Sequence, residues 1–284
     1  MTGSESDDIG TVINPAPHLS MAWIGNTTAR SQHELGRTLD IIGTFSRFAP
    51  VLPPRAGSEL ERLDTHVLGP IPIGVTLDAG MRSATDALEH LSFFLGQGVA
   101  PRPAVVMALS RVALLGTSRV LYVLGPQEPA ERVDHLHEVV RAETHSHHRM
   151  MKTGAEWSAF PLRPEQSEVK ELKDELDANP GPRLTDTSMI TEVTQTVAAA
   201  FARAERTGFS SKDETYVREH LQWMWQVWSG GAHGWAWPEH LPGSDDVKNR
   251  VPGDWVSDLS LLVALTQLAL QTLTRSTTQA PAEE

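Results

Sequence analysis

Residues 103–124 are apolar on nearly every face of the helix that their spacing predicts. The apolar positions include Val105, Val106, Leu109, Leu114, Leu115, Val120 and Leu121. A helix without a polar face is normally wrapped by other helices, because any exposed side would leave apolar surface in water. A chain that contains this segment must therefore supply several further helices to cover it.

Most of the remaining chain also repeats apolar residues at helical intervals of three and four. Strand-like alternation is nearly absent, and only residues 67–75 are ambiguous. The helical stripes are Leu35–Ala49, Met81–Leu95, Val133–Val140, Ile190–Ala204 and Leu259–Leu273. These patterns predict an all-α protein, a single helical-bundle domain of about seven helices.

The predicted organisation is a helical domain at residues 21–275, between flexible tails at 1–20 and 276–284. Proline and glycine are frequent at residues 51–75, which predicts a long connection there. Ser211–Glu214 has the form of a capping box, and residues 238–253 are typical of a polar loop.

The net charge is −12, from 24 Lys and Arg against 36 Asp and Glu. This balance disfavours RNA and anionic membrane surfaces as non-specific partners. Residues 102–152 differ, because they hold seven basic residues against five acidic ones, and five of the twelve histidines. The sequence therefore leaves room for a basic pocket on an acidic protein.

The absence of cysteine excludes disulfides, thiolate metal sites and cysteine catalysis. The acidic residues 1–8 lack the basic start and apolar run of a signal peptide. No stretch reaches about 18 uninterrupted apolar residues, so we expect no membrane span. These features predict a soluble, cytoplasmic protein.

The segment from Trp228 to Gly234, with the sequence WSGGAHG, combines glycines, aromatic neighbours and a histidine. Each glycine inside a helix costs about 1 kcal/mol. We therefore predict a helix break here, which would let His233 point into an aromatic-lined space. Ser229 lies in the same segment.

Five of the eight tryptophans are concentrated in residues 223–237. Trp225 and Trp228 are three apart, so part of this cluster is expected in the core. Trp235 lies beyond the glycines, where a core helix does not explain it. It favours stacking on a planar ligand or a partner surface.

Arg111 and Arg119 lie eight residues apart, about two turns, on one side of the most apolar helix. A buried arginine without a partner is costly, so each should reach an acid, a phosphate-like ligand or solvent. Two alternatives remain open. One is a set of ion pairs between helices, with Asp86, Glu89, Glu131 or Asp134 as partners, and the other is an anion-binding pocket.

A further helical face carries His137, Arg141, His145 and His148. His145 and His148 could share a metal, with Glu138 or Glu143 nearby. The interleaved arginines oppose a bound cation, so we expect a solvated or anion-facing surface, with no metal and no cofactor. The chain has no Gly-rich phosphate loop, Gly-x-Ser-x-Gly elbow or His-Glu-x-x-His motif.

The segments Ala108–Pro126, Glu131–Arg132 and Ser229–Gly234 resemble uncharacterised actinobacterial helical proteins that are similar to the HEPN superfamily. The resemblance covers residues 78–275. It implies a helical bundle, a homodimer in many members, and activities that include those of ribonuclease toxins and defence proteins.

The HEPN nucleases carry an arginine, a polar residue and then the histidine. Aligned on His233, the polar position is Ser229, but the arginine position is Trp228. The charge that would stabilise a scissile phosphate is thus missing from the motif. Only Arg111, Arg119 or Arg132, arriving from neighbouring helices, could replace it.

These observations predict a HEPN-like protein that binds a small anionic or aromatic ligand, or a protein partner, at a His/Arg/Trp pocket. The candidate catalytic residue is His233. The candidate ligand-binding residues are Arg111, Arg119, Arg132, Trp228, Ser229 and Trp235. The alternatives are a metal-independent endoribonuclease of a toxin or defence system, and a structural or scaffolding subunit.

Overall fold

A computed structural model describes residues 29–48, 52–67, 71–98, 102–159, 163–203, 214–235 and 253–279. Within these residues the protein has nine α-helices, one 3-10 turn at Phe45–Arg47 and no strand. The helices are α1 (Ala29–Ile42), α2 (Glu59–Asp64), α3 (Ile73–Gly96), α4 (Pro103–Leu124), α5 (Pro129–Glu156), α6 (Gln166–Ala178), α7 (Asp186–Arg203), α8 (Glu214–Ala232) and α9 (Gly253–Thr278). The all-α helical bundle is thus confirmed, with more helices than the expected seven.

The apolar segment at 103–124 is the central helix α4, which packs against α3, α5, α7, α8 and α9. Gly116 on α4 meets Gly80 on α3 at close range. A Cβ atom on Gly116 would lie 2.1 Å from the Gly80 carbonyl oxygen, so only glycine allows this approach. Deep in the core, the hydroxyl groups of Thr117 and Thr266 are 3.0 Å apart and join α4 to α9.

Helix α2 lies inside the stretch 51–75, which the sequence predicts to be a connection. The Ser58 side chain caps it by accepting a hydrogen bond from the Glu61 N–H. Leu60 and Leu63 are buried in the core. The capping spacing from Ser58 to Glu61 is visible in the sequence, but the high proline and glycine content around it hides a six-residue helix.

The end of the chain also differs from the prediction. Helix α9 continues to Thr278, beyond the predicted domain boundary at 275, and both Ser276 and Thr277 are buried. The predicted N-terminal tail at 1–20, the capping residue Ser211 and most of the loop at 238–253 lie outside the described residues.

Two helices, α4 and α9, are long and apolar enough to cross a membrane by length and composition alone. Half of the segment Ala104–Leu124 and 56% of Trp255–Thr278 are buried inside the protein. Both helices pack against several others, which is the environment of core helices. This arrangement is consistent with a soluble protein.

A basic cleft as the candidate functional site

A cleft of about 680 Å³ opens where residues of α4, α5, α8 and the start of α7 converge. We call it the basic cleft, because four arginines and three histidines line it against two carboxylates. These residues are Arg111, Arg119, Arg149 and Arg183; His145, His148 and His233; and Glu143 and Asp186. Its volume falls in the range of small-molecule binding sites.

The predicted helix break at Ser229–Gly231 is wrong, because α8 continues through both glycines to Ala232. The helix ends in a Schellman arrangement. The Trp235 N–H donates to the Gly230 carbonyl over 3.0 Å, and the Gly234 N–H donates to the Gly231 carbonyl over 3.1 Å. Gly234 adopts φ +70°, so the glycine that ends the helix is this one. His233 is the residue just before it.

Gly231 has a packing role instead. A Cβ atom there would lie 2.3 Å from the Met107 sulfur and 3.2 Å from the Met107 Cβ. The glycine therefore lets α8 pack closely against α4. This close packing brings the end of α8, with Ser229 and the exposed His233, alongside the arginines of α4.

Arg111 is the best-anchored cation of the cleft. Its Nε donates to the Ser229 hydroxyl over 3.2 Å, and its guanidinium lies 5.0 Å from the centre of the Trp225 ring. One terminal nitrogen is 3.6 Å from an Asp186 carboxylate oxygen. The stacking and the hydrogen bond orient the guanidinium, while the long ion pair leaves it capacity for another anion.

The other arginines are less neutralised. Arg119 reaches Glu143 only at 4.0 Å. Arg149 and Arg183 are exposed, and neither forms an ion pair with any other described residue. The partners expected for Arg111 and Arg119, namely Asp86, Glu89, Glu131 and Asp134, are not the ones found. The actual acids come from α5 and α7.

The N-terminus of α7 adds to the positive potential. Residues 184–187 line the cleft, and Thr185 caps the 18-residue helix by accepting from the Ser188 N–H over 3.1 Å. A helix N-terminus carries a partial positive charge and free N–H groups. Asp186 in the first turn offsets part of this charge.

Buried Arg141 holds the loop that leads into α7. It donates to the Asn179 carbonyl over 3.0 Å, to the Pro182 carbonyl over 2.9 Å and to the Asn179 side-chain oxygen over 3.3 Å. Gly181 passes directly over the guanidinium, where a Cβ atom would lie 2.5 Å from the Arg141 Cζ. This clamp fixes the loop immediately before Arg183 and Thr185.

The predicted face of His137, Arg141, His145 and His148 therefore divides into separate environments. His145 and His148 line the cleft, Arg141 is buried against the 179–182 loop, and His137 contacts the His66 carbonyl. Helical spacing places residues on one side of a helix, but the neighbouring elements decide what each of them meets.

Three of the predicted ligand-binding residues lie outside the cleft lining. Trp228 is 3% exposed and belongs to the core. Trp235 is 64% exposed and lies beyond the helix end. Arg132 forms an ion pair with Glu59 and donates to the Pro126 carbonyl, which ties α5 to α2. Of the predicted set, the cleft brings together His233, Arg111, Arg119 and Ser229.

Sequence reasoning missed Arg149, Arg183 and the start of α7. Arg183 directly follows the Asn-Pro-Gly-Pro run at residues 179–182, whose composition by itself indicates only the end of a helix. A cation between such a break and a Thr-x-x-Ser cap was the available signal, since it places the charge at a helix N-terminus. Trp237, the last tryptophan of the cluster, lies outside the described residues.

The arrangement supports two kinds of chemistry. Arginines and a helix N-terminus can hold phosphate or carboxylate oxygens, and histidines can exchange protons near neutral pH. Comparisons with known proteins add no precedent, because no protein-family model, curated protein or solved structure matches the chain.

Proposed function

We propose that the basic cleft binds a small anionic ligand that carries phosphate-like groups. The observation that carries this proposal is the excess of four arginines over two carboxylates in one cleft of a protein whose net charge is −12. Such a concentration of positive charge contrasts with the composition of the chain, and a cleft that is lined by one sign of charge focuses a potential that attracts ions of the opposite sign.

The cleft favours an anionic ligand over a flat aromatic one. Trp225 is 5% exposed and lies beneath the Arg111 guanidinium, so its face is already covered. A ligand that enters the cleft meets guanidinium groups before it meets an indole ring. The volume of about 680 Å³ accommodates a phosphorylated metabolite rather than inorganic phosphate alone.

Isothermal titration calorimetry with inorganic pyrophosphate at low ionic strength tests the proposal. We expect saturable binding that weakens as salt is added, because the interaction is between charges. Arg183→Gln and Arg149→Gln should each weaken it at least about fivefold, since each removes a cation without an ion-pair partner among the described residues. Arg37→Gln is the matched control, because it removes an exposed arginine of α1 outside the cleft. An equal loss of pyrophosphate affinity in all three variants would mean that the effect comes from the net charge of the protein and not from the cleft.

A second candidate is metal-independent cleavage of RNA, and one contact favours it. Arg111 hydrogen-bonds Ser229, so an arginine supplied by α4 lies in the cleft with His233 although the sequence motif lacks one. His145 or His148 could then act as the second proton-transfer group. The negative net charge still disfavours an RNA substrate.

Incubation with single-stranded RNA in the presence of a chelator separates the two candidates. We expect no cleavage that depends on His233. Cleavage that His233→Ala abolishes, with the helical circular dichroism unchanged, would overturn this expectation, and Arg111→Gln would then test whether Arg111 is the charge stabiliser. The HEPN relationship, the homodimer, the cytoplasmic location and a purely scaffolding role stay predictions.

A further inference from the structure

A second cluster of ionisable side chains lies outside the basic cleft. Glu131 and His135 are one turn apart on α5, and Glu192 comes from α7. One potential ligand atom from each lies within 4.8 Å of the others. The His135 Nε2 is 2.8 Å from a Glu192 carboxylate oxygen. We call these three residues the acidic triad.

The His135 ring is held in a fixed orientation by α4. Its Nδ1 lies 2.7 Å from the Tyr122 carbonyl oxygen, which can only accept, so Nδ1 carries the proton. The ring also stacks on the Tyr122 ring, with the centroids 3.9 Å apart and the planes 5° apart. Backbone carbonyls hold metal-binding histidines in this way, because the bond fixes the tautomer and directs the other nitrogen at the metal.

This orientation leaves Nε2 facing a carboxylate. A neutral imidazole with its proton on Nδ1 directs the Nε2 lone pair at an oxygen that also only accepts. The contact is favourable only if Nε2 gains a proton or if the nitrogen and the oxygen share a cation. The His135 side chain is only 12% exposed, so solvent does little to separate the two groups.

The surrounding charges favour a cation. Glu138 accepts a hydrogen bond from the Tyr122 hydroxyl. Within the described residues, neither Glu131 nor Glu192 forms an ion pair with a lysine or arginine. In the part of the chain that the structure describes, no lysine or arginine therefore neutralises the carboxylates around His135.

We propose that Glu131, His135 and Glu192 form a binding site for a divalent transition-metal ion of the zinc class. One imidazole and two carboxylates are ligands that Zn²⁺ accepts, and three protein ligands leave a position for water. Ligand atoms on one tetrahedral zinc lie about 3.4 Å apart. The His135 Nε2 and the Glu192 oxygen, which are 2.8 Å apart, would move slightly apart to share the ion, and the exposed Glu131 side chain would turn toward them.

The test uses the full chain without an affinity tag, freed of metal by a chelator. Titration with Zn²⁺ should show one site with a micromolar or lower Kd, and Co²⁺ should give visible absorption from a bound ion. Glu192→Gln and Glu131→Gln should each weaken binding at least about tenfold. Both side chains are partly or fully exposed, so neither change should prevent folding.

His137→Gln is the matched control, because it removes a histidine of the same helix that contacts the His66 carbonyl instead. It should bind zinc as the unmodified chain does. His145→Gln and His148→Gln together report on zinc held in the basic cleft. The proposal is overturned if the chain binds no zinc, if both glutamate variants bind as tightly as the unmodified chain, or if only the cleft double variant loses the site. Long-range ¹H–¹⁵N spectra that show His135 doubly protonated in the presence of zinc would also overturn it.

Discussion

The basic cleft and the acidic triad share helices α4, α5 and α7, yet they have opposite charge. Helix α4 contributes Arg111 and Arg119 to the cleft, and the Tyr122 carbonyl to the triad. Helices α5 and α7 likewise supply residues to both. The difference shows that one packed helix can support two sites with opposite preferences, because positions a few turns apart meet different neighbours.

The largest effect is expected from Gly116→Val, which should damage both regions at once. The Gly80 carbonyl leaves no room for a Cβ atom, so α3 must move away from α4, and overpacking of this kind costs about 3 kcal/mol or more. Urea unfolding measures the loss. Gly36→Ala is the control with the opposite sign. Gly36 lies on α1 with open space around it, so this variant should gain up to about 1 kcal/mol in free energy of unfolding, because alanine has a higher helix propensity than glycine. Equal stability of the two variants would contradict the close packing.

Arg141→Met should weaken the basic cleft and leave the acidic triad unchanged. It removes three hydrogen bonds from the 179–182 loop and leaves buried carbonyls without a donor, at a cost of about 2–3 kcal/mol. Pyrophosphate affinity should fall because Arg183 and the α7 N-terminus lose their support. Zinc affinity should stay within about twofold, since His135 is held by the Tyr122 carbonyl and by Glu192 rather than by this loop. Parallel titrations with both probes check the prediction, and an equal loss in both would mean that the sites are coupled.

Lower pH should strengthen anion binding in the cleft. Three histidines line the cleft, and imidazole side chains in general carry more positive charge in acidic solution. The affinity for sulfate, which stays dianionic throughout, should rise roughly fivefold between about pH 8 and about pH 5.5 if the ion is near these side chains. His148→Gln should flatten the rise, whereas His137→Gln should not. An affinity that does not change with pH would mean that the arginines bind the ligand without a contribution from the histidines.

Trp235→Ala should have the smallest effect. The side chain is 64% exposed and outside the cleft lining, so we expect a change in stability below about 0.5 kcal/mol and an unchanged pyrophosphate affinity. A clear loss of pyrophosphate affinity would show that Trp235 contributes to the binding site, as the sequence predicts, and would favour a ligand with an aromatic group. Thermal unfolding and titration of the same sample decide between these outcomes.

The cleft shows where prediction from sequence succeeds. The positions of Arg111 and Arg119 on an apolar helix indicate that both must find a polar environment, and both line the cleft. The sequence points to His233 and Ser229 through a predicted helix break, but the helix continues to Ala232. They reach the cleft because Gly231 packs against Met107 and Gly234 ends the helix.

The triad shows where such prediction fails. Glu131 and His135 have helical spacing, but Glu192 is 57 residues further along the chain than His135, and no local pattern links it to them. The Tyr122 carbonyl that orients His135 is a backbone group, which carries no sequence signal at all. Trp228 is the opposite error, since the sequence predicts a site residue and the structure buries it in the core. The local sequence around a tryptophan does not distinguish these two environments.

The sequence by itself determined the helical architecture and the central position of residues 103–124. It also determined that the two arginines on that helix require polar or charged partners. Helical periodicity and the position of an apolar face are local properties, since each follows from the order of apolar and polar residues along one helix. The tertiary structure alone decided which acids, histidines and backbone carbonyls meet those helices. That outcome depends on how closely the helices pack, and the backbone contact between Gly116 and Gly80 sets this distance for α3 and α4.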